Sequence, residues 1–288
     1  MKIGIIGNGF VGRAHAAAFC DKCEILINDP QYEHTVSIDD MAEQCELIFV
    51  CVPTPMNEDL SFDSSICDFV FVSLKKRTKS KITKPIVILK STCIPQKVDE
   101  YSRISNIDFA FSPEFLTQRN ADSDFVNQDY MIVGTNKLYI KKEIEDIFKR
   151  KSKCKITKFH KMSPVSAALL KYTRNSFLAL KVSFMNEMYD LYTSLEQDDW
   201  QNFINVFHED SRCGNSHADV PGFDGFKGWG GKCFPKDINA LINLADDMGV
   251  SMDIMKTAWE VNLRIRENKD WLDIPWAVTK GENNAKKS

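Results

Sequence analysis

A glycine-rich turn directly after the first apolar run is the feature that most constrains the fold of this chain. Lys2–Ile6 is a short run rich in β-branched residues, and residues 7–12 read G-N-G-F-V-G before a helix-forming stretch. In such a turn Gly7 permits the tight bend, Gly9 lets the backbone approach a pyrophosphate, and Gly12 allows a helix to pack closely on the strand. The pattern predicts a strand, a phosphate-binding turn and a helix in that order.

The rest of the first half continues the alternation of strand and helix. Further strands are predicted at 24–28, 47–52, 86–90, 108–112 and 130–134, and helices at 9–19, 39–45, 64–78 and 137–150. Continuously apolar runs such as 47–52 are typical of strands covered on both faces. We therefore predict an α/β fold whose first domain, residues 1–155, is a Rossmann-like doubly wound parallel sheet.

Helical spacing replaces this alternation after residue 155. Ser163 and Pro164 form a good helix start, and neither Gly nor Pro interrupts the chain from there to Leu195. A helix of that length spans about 50 Å, which is typical of a spine joining domains or subunits. Further helices are predicted at 200–207, 235–248 and 252–272. We expect an α-helical domain over 156–275, a polar tail over 276–288, and a homodimer formed through the long helix.

Composition narrows the function classes. The chain has 37 Lys and Arg against 40 Asp and Glu, a net charge of −3, which gives no reason to expect binding to nucleic acid or to an acidic membrane. No stretch of 18 consecutive apolar residues predicts a membrane span, and a strand that starts at Lys2 leaves no room for a signal peptide. Nine cysteines, mostly in apolar surroundings, favour a reducing cytoplasm. Cys20 and Cys23 have metal-like spacing without a second ligand pair nearby, so no metal is predicted.

Asp29 indicates the cofactor class. It stands at the end of the second predicted strand, where a carboxylate binds a ribose 2′-hydroxyl and repels the 2′-phosphate of NADP. Phe10 and Val11 open the helix whose amides would face the phosphates. The predicted cofactor is therefore NAD, and the alternative is a glycine turn with no ligand.

The motif G-G-K-C-F-P-K-D at residues 230–237 is a candidate nucleophile site. Pro235 suits the first turn of a helix, which places Cys233 at the N-terminal end of that helix. The helix dipole and the neighbouring Lys232 and Lys236 would favour the thiolate, the form that acts as a nucleophile. The alternative is a structural thiol, as most of the other eight cysteines must be.

These two motifs and four others together resemble the UDP-glucose/GDP-mannose dehydrogenase family. The others read C-V-P-T-P at 51–55, K-S-T-C-I-P at 90–95, S-P-E-F-L at 112–116 and L-K-Y-T-R-N at 170–175. Six motifs in the family's order are far more specific than any one of them.

The resemblance implies a twofold, four-electron oxidation in which a sugar-nucleotide C6 alcohol becomes a carboxylate while two NAD molecules are reduced, as from UDP-glucose to UDP-glucuronate. An aldehyde donates hydride readily only after a nucleophile has added to it. Cys233 would add as the thiolate to give a thiohemiacetal, and hydride loss would then give a thioester that water hydrolyses. Lys171 and Asn175, implied to bind the oxyanion, stand four residues apart and so project from one face of a helix.

Further site residues follow from the same resemblance. Asp237 would order a water with Thr92, and Glu114 would be the general base for thioester hydrolysis. The guanidinium of Arg212 would bind two oxygens of the substrate diphosphate, commonly from a neighbouring subunit. Residues 220–230 would form the loop over the sugar, beside His217, which is either a substrate contact or simply exposed. The implied substrate contacts are Glu114, Phe115, Leu116, Lys171, Asn175, Arg212 and Gly230, and the implied cofactor contacts include Pro53, Thr54 and Thr92.

The chain also departs from the family pattern. We expect the family's third, nucleotide-covering domain to be missing, and the first domain to be abbreviated because only 21 residues separate Asp29 from Cys51. Gln118 and Arg119 replace a second glutamate and a glycine. Three alternatives stay open: a dehydrogenase of GDP-mannose or of a UDP-N-acetylhexosamine, a two-electron 3-hydroxyacid dehydrogenase, and a non-catalytic NAD-binding scaffold.

Overall fold

The short apolar runs of the first half of the chain assemble into one sheet. The computed structural model describes residues 1–77, 84–116 and 120–279, and seven strands of these residues lie side by side. They are β1 (Lys2–Ile6), β2 (Glu24–Asn28), β3 (Leu47–Val50), β4 (Ile86–Leu89), β5 (Asp108–Phe111), β6 (Tyr130–Gly134) and β7 (Lys158–Met162). The strands predicted at 2–6, 24–28 and 130–134 have the predicted bounds, and the other three end one or two residues early.

The strand order is β2-β1-β3-β4-β5-β6-β7. All neighbours are parallel except β5 and β6, which pair antiparallel, so the expectation of a wholly parallel sheet is wrong at that pair. The predicted Rossmann-like α/β fold is otherwise confirmed. Because β2 and β3 lie on opposite sides of β1, the strand order reverses there, and the carboxyl ends of β1 and β3 border the crevice where open α/β sheets bind ligands.

Helices cover both faces of the sheet. They are α1 (Phe10–Phe19), α2 (Ile38–Gln44), α3 (Ser65–Arg77), α4 (Pro95–Ser102), α5 (Ala121–Asn127) and α6 (Leu138–Lys151). On one face the rings of Phe19 and Phe148 lie 5.1 Å apart beside Phe49 of β3. On the other face Phe71 of α3 stacks on Tyr101 of α4 at 4.2 Å.

Three elements of this region were not predicted. The helices α4 and α5 have only 8 and 7 residues, too few for a helical period to stand out. The strand β7 reads K-F-H-K-M with no residue buried, so it shows no apolar run. The predicted end of the helix 64–78 lies outside the described residues, as do Gln118 and Arg119.

The second half of the chain is helical, as predicted. It contains α7 (Pro164–Ser194), α8 (Trp200–Glu209), α9 (Phe234–Asp247) and α10 (Asp253–Ile265), followed by a 3₁₀ turn at Asp270–Leu272. The prediction of one helix over 252–272 is wrong, because Arg266 takes an extended conformation (φ −87°, ψ 109°) and buries its side chain. No helix in the described part of the chain has both the length and the apolar character needed to cross a membrane.

The described residues form two units. The first, here called the sheet unit, comprises residues 1–54 and 63–171, and the second, the helical unit, comprises 55–62 and 172–279. The helical unit has its own core, in which Trp229 packs with Ile238 and Met255. The domain limits predicted at residues 155 and 275 stay a prediction.

A short strap of residues 55–62 belongs to the helical unit. Met56 bridges to Phe62 and, on its other side, to Val278, and it packs with the buried Trp271 and Ala277. Ala277, the second residue of the predicted tail, is 2% exposed, and the tail itself stays a prediction. Residues 280–288 lie outside the described part.

Candidate functional site

In the sheet unit, the glycine turn after β1 is built by backbone contacts. Gly7 has φ +91°, and a Cβ there would lie 2.7 Å from the carbonyl oxygen of Cys51. A Cβ on Gly12 would collide with the carbonyl oxygen of Gly7. The position of Gly9 is different, because a Cβ there meets no atom within 4 Å. Two glycines are therefore required by the packing of the chain itself, and Gly9 opens onto space at the N-terminus of α1, which fits a dinucleotide.

Asp29 is held at this turn. Its Oδ2 accepts a hydrogen bond from the amide of Asn8 at 2.6 Å, and its Oδ1 accepts one from the amide of Gln31 at 2.9 Å. The side-chain Oδ1 of Asn8 is buried and has no hydrogen-bond partner in the described structure. A fixed carboxylate and an unpaired acceptor beside an open backbone are features that the polar groups of a dinucleotide would complement.

The loops after β3 and β4 are joined at the same edge of the sheet. The hydroxyl of Ser91 donates to the carbonyl of Val52 at 2.6 Å. This contact fixes Pro53 and the buried Thr54 in one loop and the half-buried Thr92 in the other. The predicted cofactor contacts of the sheet unit thus follow the carboxyl ends of β1, β2, β3 and β4.

Glu114 forms a buried ion pair that the sequence did not predict. The ammonium of Lys90 lies 3.0 Å from Oε2 of Glu114, with only 3% and 10% of the two side chains exposed. Lys90 also donates to the hydroxyl of Ser112 at 3.1 Å, and the amide of Phe115 donates to Oε1 of Glu114 at 2.9 Å. Both oxygens of the carboxylate therefore have a fixed position. The motif K-S-T-C-I-P contains Lys90, but nothing in the motif indicates the partner of this lysine, because Glu114 lies 24 residues away.

Lys171 contacts the backbone of the same residue. Its ammonium donates to the carbonyl oxygen of Glu114 at 2.6 Å and lies 5.1 Å from the ring centroid of Phe115. Leu116 is half-buried in the same segment. Four of the predicted substrate contacts therefore lie together in the sheet unit.

Other buried groups near Lys90 are held in their neutral forms. Burial raises the pKa of the Cys51 thiol to about 12. Burial and then the charge of Lys90 keep the pKa of His15 well below its ordinary value. Neither group has the charge state that a nucleophile or an anion-binding cation would need.

In the helical unit, Asn175 and Asp237 form a second buried pair. The amide of Asn175 donates to Oδ2 of Asp237 at 2.6 Å, and Lys236 pairs with the other oxygen. Asp237 is 1% exposed and lies in the first turn of α9. Lys171 and Asn175 are one turn apart on α7, and the division between the two units falls between them.

Cys233 is exposed and stands at the N-terminal end of α9, as the motif predicted. Its carbonyl accepts a hydrogen bond from the amide of Asp237 at 3.0 Å, which closes the first helical turn. Gly231 has φ +73°, a left-handed conformation that side chains disfavour. Burial and then the charge of Lys236 lower the pKa of the neighbouring Lys232. The arrangement presents a thiol to solvent at a helix N-terminus, beside two lysines and a buried carboxylate.

Arg212 and His217 lie at the edge of this region. Arg212 is 87% exposed and its guanidinium binds Asp210 of its own loop, with Nε 2.9 and 3.0 Å from the two carboxylate oxygens. The ring of His217 lies 5.8 Å from that of Phe234 beside Cys233. Its pKa is lowered by partial burial and then by Lys181 and Arg174. Among the described residues no three metal-ligating side chains come together.

Two domains of one family match this chain. Residues 22–152 match the NAD-binding domain of the UDP-glucose/GDP-mannose dehydrogenase family, and residues 165–264 match the central domain of that family. This chain belongs to the UDP-glucose/GDP-mannose dehydrogenase family. NAD, predicted from the glycine turn and Asp29, is confirmed as the cofactor by the match to the NAD-binding domain.

Three similar proteins carry names that fit this family. The UDP-glucose 6-dehydrogenase of Haloferax volcanii is 26% identical over 91% of this chain and 69% of its own length. That of Rickettsia felis is 32% identical over 76% of this chain and 48% of its own length. The solved UDP-glucose dehydrogenase of Pyrobaculum islandicum superposes with a TM-score of 0.78 at 25% identity, over 91% of this chain and 68% of that one. The chain therefore spans about half to two-thirds of the length of the family members that it matches.

The cysteine loop, residues 222–233, is held by hydrogen bonds with side chains that its motifs did not reveal. The amide of Trp229 donates to Oδ1 of Asn262 at 2.7 Å, and the side-chain amide of Asn262 donates back to the carbonyl of Trp229 at 2.9 Å. The amide of Gly228 donates to Oδ1 of Asn186 at 3.1 Å. The only available signal was indirect: a glycine-rich loop whose amides are buried requires acceptors from elsewhere.

Proposed function

We propose that this chain oxidises UDP-glucose at C6 to UDP-glucuronate, with Cys233 as the covalent nucleophile and two NAD molecules reduced per sugar. The observation that carries the proposal is the position of Cys233. It is an exposed thiol at the start of α9, one helical turn before the buried pair of Asp237 and Asn175. A simple alcohol dehydrogenase needs no such thiol.

The chemistry divides between the cofactor and the chain. NAD, when bound at the glycine turn, accepts the hydride from C6 in each oxidation. In the first oxidation the C6 hydroxyl also loses its proton to solvent and an aldehyde forms. The thiolate of Cys233 then adds to the aldehyde carbon, which forms a carbon–sulfur bond and leaves the oxyanion on C6. Loss of hydride from this adduct leaves a thioester. Water attacks the thioester carbon, the carbon–sulfur bond breaks, and the thiolate leaves. In this step Glu114 takes a proton from the water.

Lys171 and Asn175 are proposed to stabilise the oxyanion that forms on C6. A fixed cation and a fixed amide directed at that oxygen contribute several kcal/mol to lowering the barrier, on the order of 3 kcal/mol per donor. Both side chains are already held by hydrogen bonds, Lys171 to the carbonyl of Glu114 and Asn175 to Asp237. Such preorganisation avoids the cost of orienting donors during the reaction. Arg212, exposed and anchored by Asp210, is proposed to bind the substrate diphosphate.

A homodimer through α7 is part of the proposal. Phe177, Phe184 and Leu191 recur every seven residues on this helix and are 64%, 53% and 52% exposed. A stripe of large apolar side chains with that period is typical of a helix that packs on a second helix. Sedimentation of the full chain at micromolar concentration tests this, and a monomer would contradict it.

We further propose a cytoplasmic protein, since its nine cysteines, all in the described part, are thiols.

The function is tested by counting NADH. The full chain is supplied with NAD and UDP-glucose, and NADH formed is divided by sugar consumed. The proposal requires a ratio of two. A ratio of one indicates a two-electron alcohol dehydrogenase, turnover only with GDP-mannose or a UDP-N-acetylhexosamine changes the substrate, and no NADH with any of these sugars indicates a scaffold. A Cys213→Ser variant is the matched control for thiol loss and should keep the ratio.

A further inference from the structure

We propose that Arg266 is a positioning residue for Cys233, acting through Asp270 and Asp224 on the cysteine loop. The inference rests on the proposed role of Cys233 and adds Arg266 and Asp270, which lie beyond residue 264, where the matched central domain ends, and Asp224, which stands in none of the motifs. Arg266 has 1% of its side chain exposed, which is unusual for an arginine.

The guanidinium of Arg266 has several hydrogen-bond partners. Its Nη2 donates to Oδ2 of Asp224 at 2.6 Å and lies 3.2 Å from Oδ1 of Asp270. Its Nε donates to the carbonyl of Asn268 at 2.9 Å. The guanidinium also lies 5.7 Å from the ring centroid of Phe226. A buried cation with two carboxylates on one edge is neutralised and fixed in orientation.

These contacts join the two ends of the cysteine loop. Asp224 lies near the start of the loop, and Asp270 accepts the amide hydrogen of Gly231, with both carboxylate oxygens 3.1 Å from that nitrogen. A Cβ on Gly230 would collide with both Asp270 and the guanidinium of Arg266. The backbone two and three residues before Cys233 therefore rests directly on this cluster.

The loop needs such a support because three of its glycines take left-handed backbone conformations. Gly225, Gly228 and Gly231 have φ of +82°, +70° and +73°, and glycines lose more conformational freedom on ordering than other residues. Without the cluster, the backbone before Cys233 would sample other conformations, and the sulfur would no longer stay within bonding reach of an aldehyde carbon. A misplacement of about 1 Å at a reacting atom can cost on the order of 100-fold in rate.

Only the thiol-dependent half of the reaction should suffer. Removal of the first hydride from the alcohol needs no thiolate, whereas the second oxidation requires the carbon–sulfur bond. A misplaced thiol therefore produces aldehyde that is not carried on to the acid. A merely structural defect would lower both oxidations together and leave two NADH per sugar.

The test compares Arg266→Met with Arg264→Met, an exposed arginine in the last turn of α10, two residues before Arg266. We expect Arg266→Met to form acid about 100-fold more slowly, to give close to one NADH per sugar, and to release aldehyde that a hydrazide traps, with the KM for NAD unchanged. Arg264→Met should match the unsubstituted chain. Two NADH per sugar and no trapped aldehyde from Arg266→Met would overturn the inference.

A second pair of variants applies if Arg266→Met does not fold. Asp270→Ala removes the acceptor for the Gly231 amide from a side chain that is 28% exposed. We expect it to lower acid formation about tenfold and to release aldehyde. Asp270→Asn keeps an oxygen acceptor and should restore most of the acid formation, while the exposed Asp273→Ala should have no effect. Equal losses in Asp270→Ala and Asp270→Asn without released aldehyde would contradict a positioning role.

An activity-independent measurement separates this inference from the proposed function. Alkylation of Cys233 by iodoacetamide, followed by mass spectrometry of its peptide, should be at least about threefold slower in Arg266→Met or Asp270→Ala, because the thiol is no longer held at the helix N-terminus. If the unsubstituted chain forms no NADH with any nucleotide sugar, the proposed function fails and the alkylation rates alone decide the role of Arg266. Unchanged rates in both variants would refute it.

Discussion

Two glycine-rich loops of this chain each lead into the N-terminus of a helix, but they are held in different ways. In the turn of residues 7–12, the amide of Gly7 donates to the carbonyl of Asn28 at 2.8 Å, and Gly12 packs on the carbonyl of Gly7. These are contacts of backbone with backbone, to which the carboxylate of Asp29 adds a hydrogen bond from the amide of Asn8. The loop of residues 228–233 is held by side chains instead: Asn186, Asn262 and Asp270 bind its amides from 33 to 42 residues away.

The difference shows where each loop is sensitive to substitution. A turn built from backbone contacts fails when a Cβ is added to one of its own glycines. A loop held by distant side chains can fail while its own sequence is unchanged. The first kind is recognisable from six consecutive residues, and the second only from a structure.

The largest expected effect separates the roles of the two loops. Cys233→Ala removes the proposed nucleophile, so acid formation from UDP-glucose should fall at least about 1000-fold. NAD binding depends on the turn of residues 7–12 and should survive, as measured by calorimetry. Sugar acid formed at the normal rate by this variant would refute the mechanism.

Removing a distant anchor of the cysteine loop should destabilise the protein. Asn262 is fully buried and exchanges two hydrogen bonds with Trp229. Asn262→Ala leaves the buried amide and carbonyl of Trp229 unpaired, so the free energy of unfolding in urea should fall by about 2–3 kcal/mol. The exposed Asn205→Ala is the control and should change it by less than about 0.5 kcal/mol. Equal effects of the two substitutions would show that the loop does not depend on Asn262.

The glycine turn offers a matched pair of substitutions. Gly7→Ala forces a side chain into a left-handed conformation against the carbonyl of Cys51, and should lower the free energy of unfolding by about 1–3 kcal/mol. Gly9→Ala meets no atom of the chain and should leave stability unchanged, while it weakens NAD binding about tenfold or more because a methyl group occupies the approach of the pyrophosphate. Thermal unfolding and NAD titration measure the two effects. Unchanged NAD affinity in Gly9→Ala would contradict the assigned position of the cofactor.

The smallest expected effect is a pH dependence at the cysteine loop. Although partial burial opposes it, the hydrogen bond from Arg266 holds the pKa of Asp224 below its ordinary value. The carboxylate therefore stabilises the fold at pH values above its unfolded-state pKa of about 3.9, and this contribution is lost as the pH falls through the lower folded-state pKa. Asp224→Asn should be less stable than the unsubstituted chain at pH 6, with the difference shrinking below about pH 4. Urea unfolding from pH 6 to 3 measures it, with the exposed Asp219→Asn as control. A difference that is constant with pH would rule out the ionised pair.

Most of the fold could be predicted because its elements are marked by local patterns. Buried strands such as β1 and β3 are continuous apolar runs, and α7 begins at a Ser–Pro pair and continues without a helix breaker. The strand β7 escaped prediction because it lies at the edge of the sheet and its side chains are mostly exposed. The end of α10 was placed too late because the departure at Arg266 depends on the carboxylates that bind its side chain, and one of them, Asp224, is 42 residues away.

The sequence by itself determined the class of the fold, the cofactor and the residue types of the proposed chemistry, because each is carried by a short motif whose atoms are neighbours along the chain. The tertiary structure alone decided that Lys90 pairs with Glu114, that Asn175 binds Asp237, and that Arg266 supports the loop before Cys233. Each of these is a polar pairing between residues that are far apart in sequence. A buried charge or amide must find a partner somewhere, but which partner it finds depends on how the elements pack.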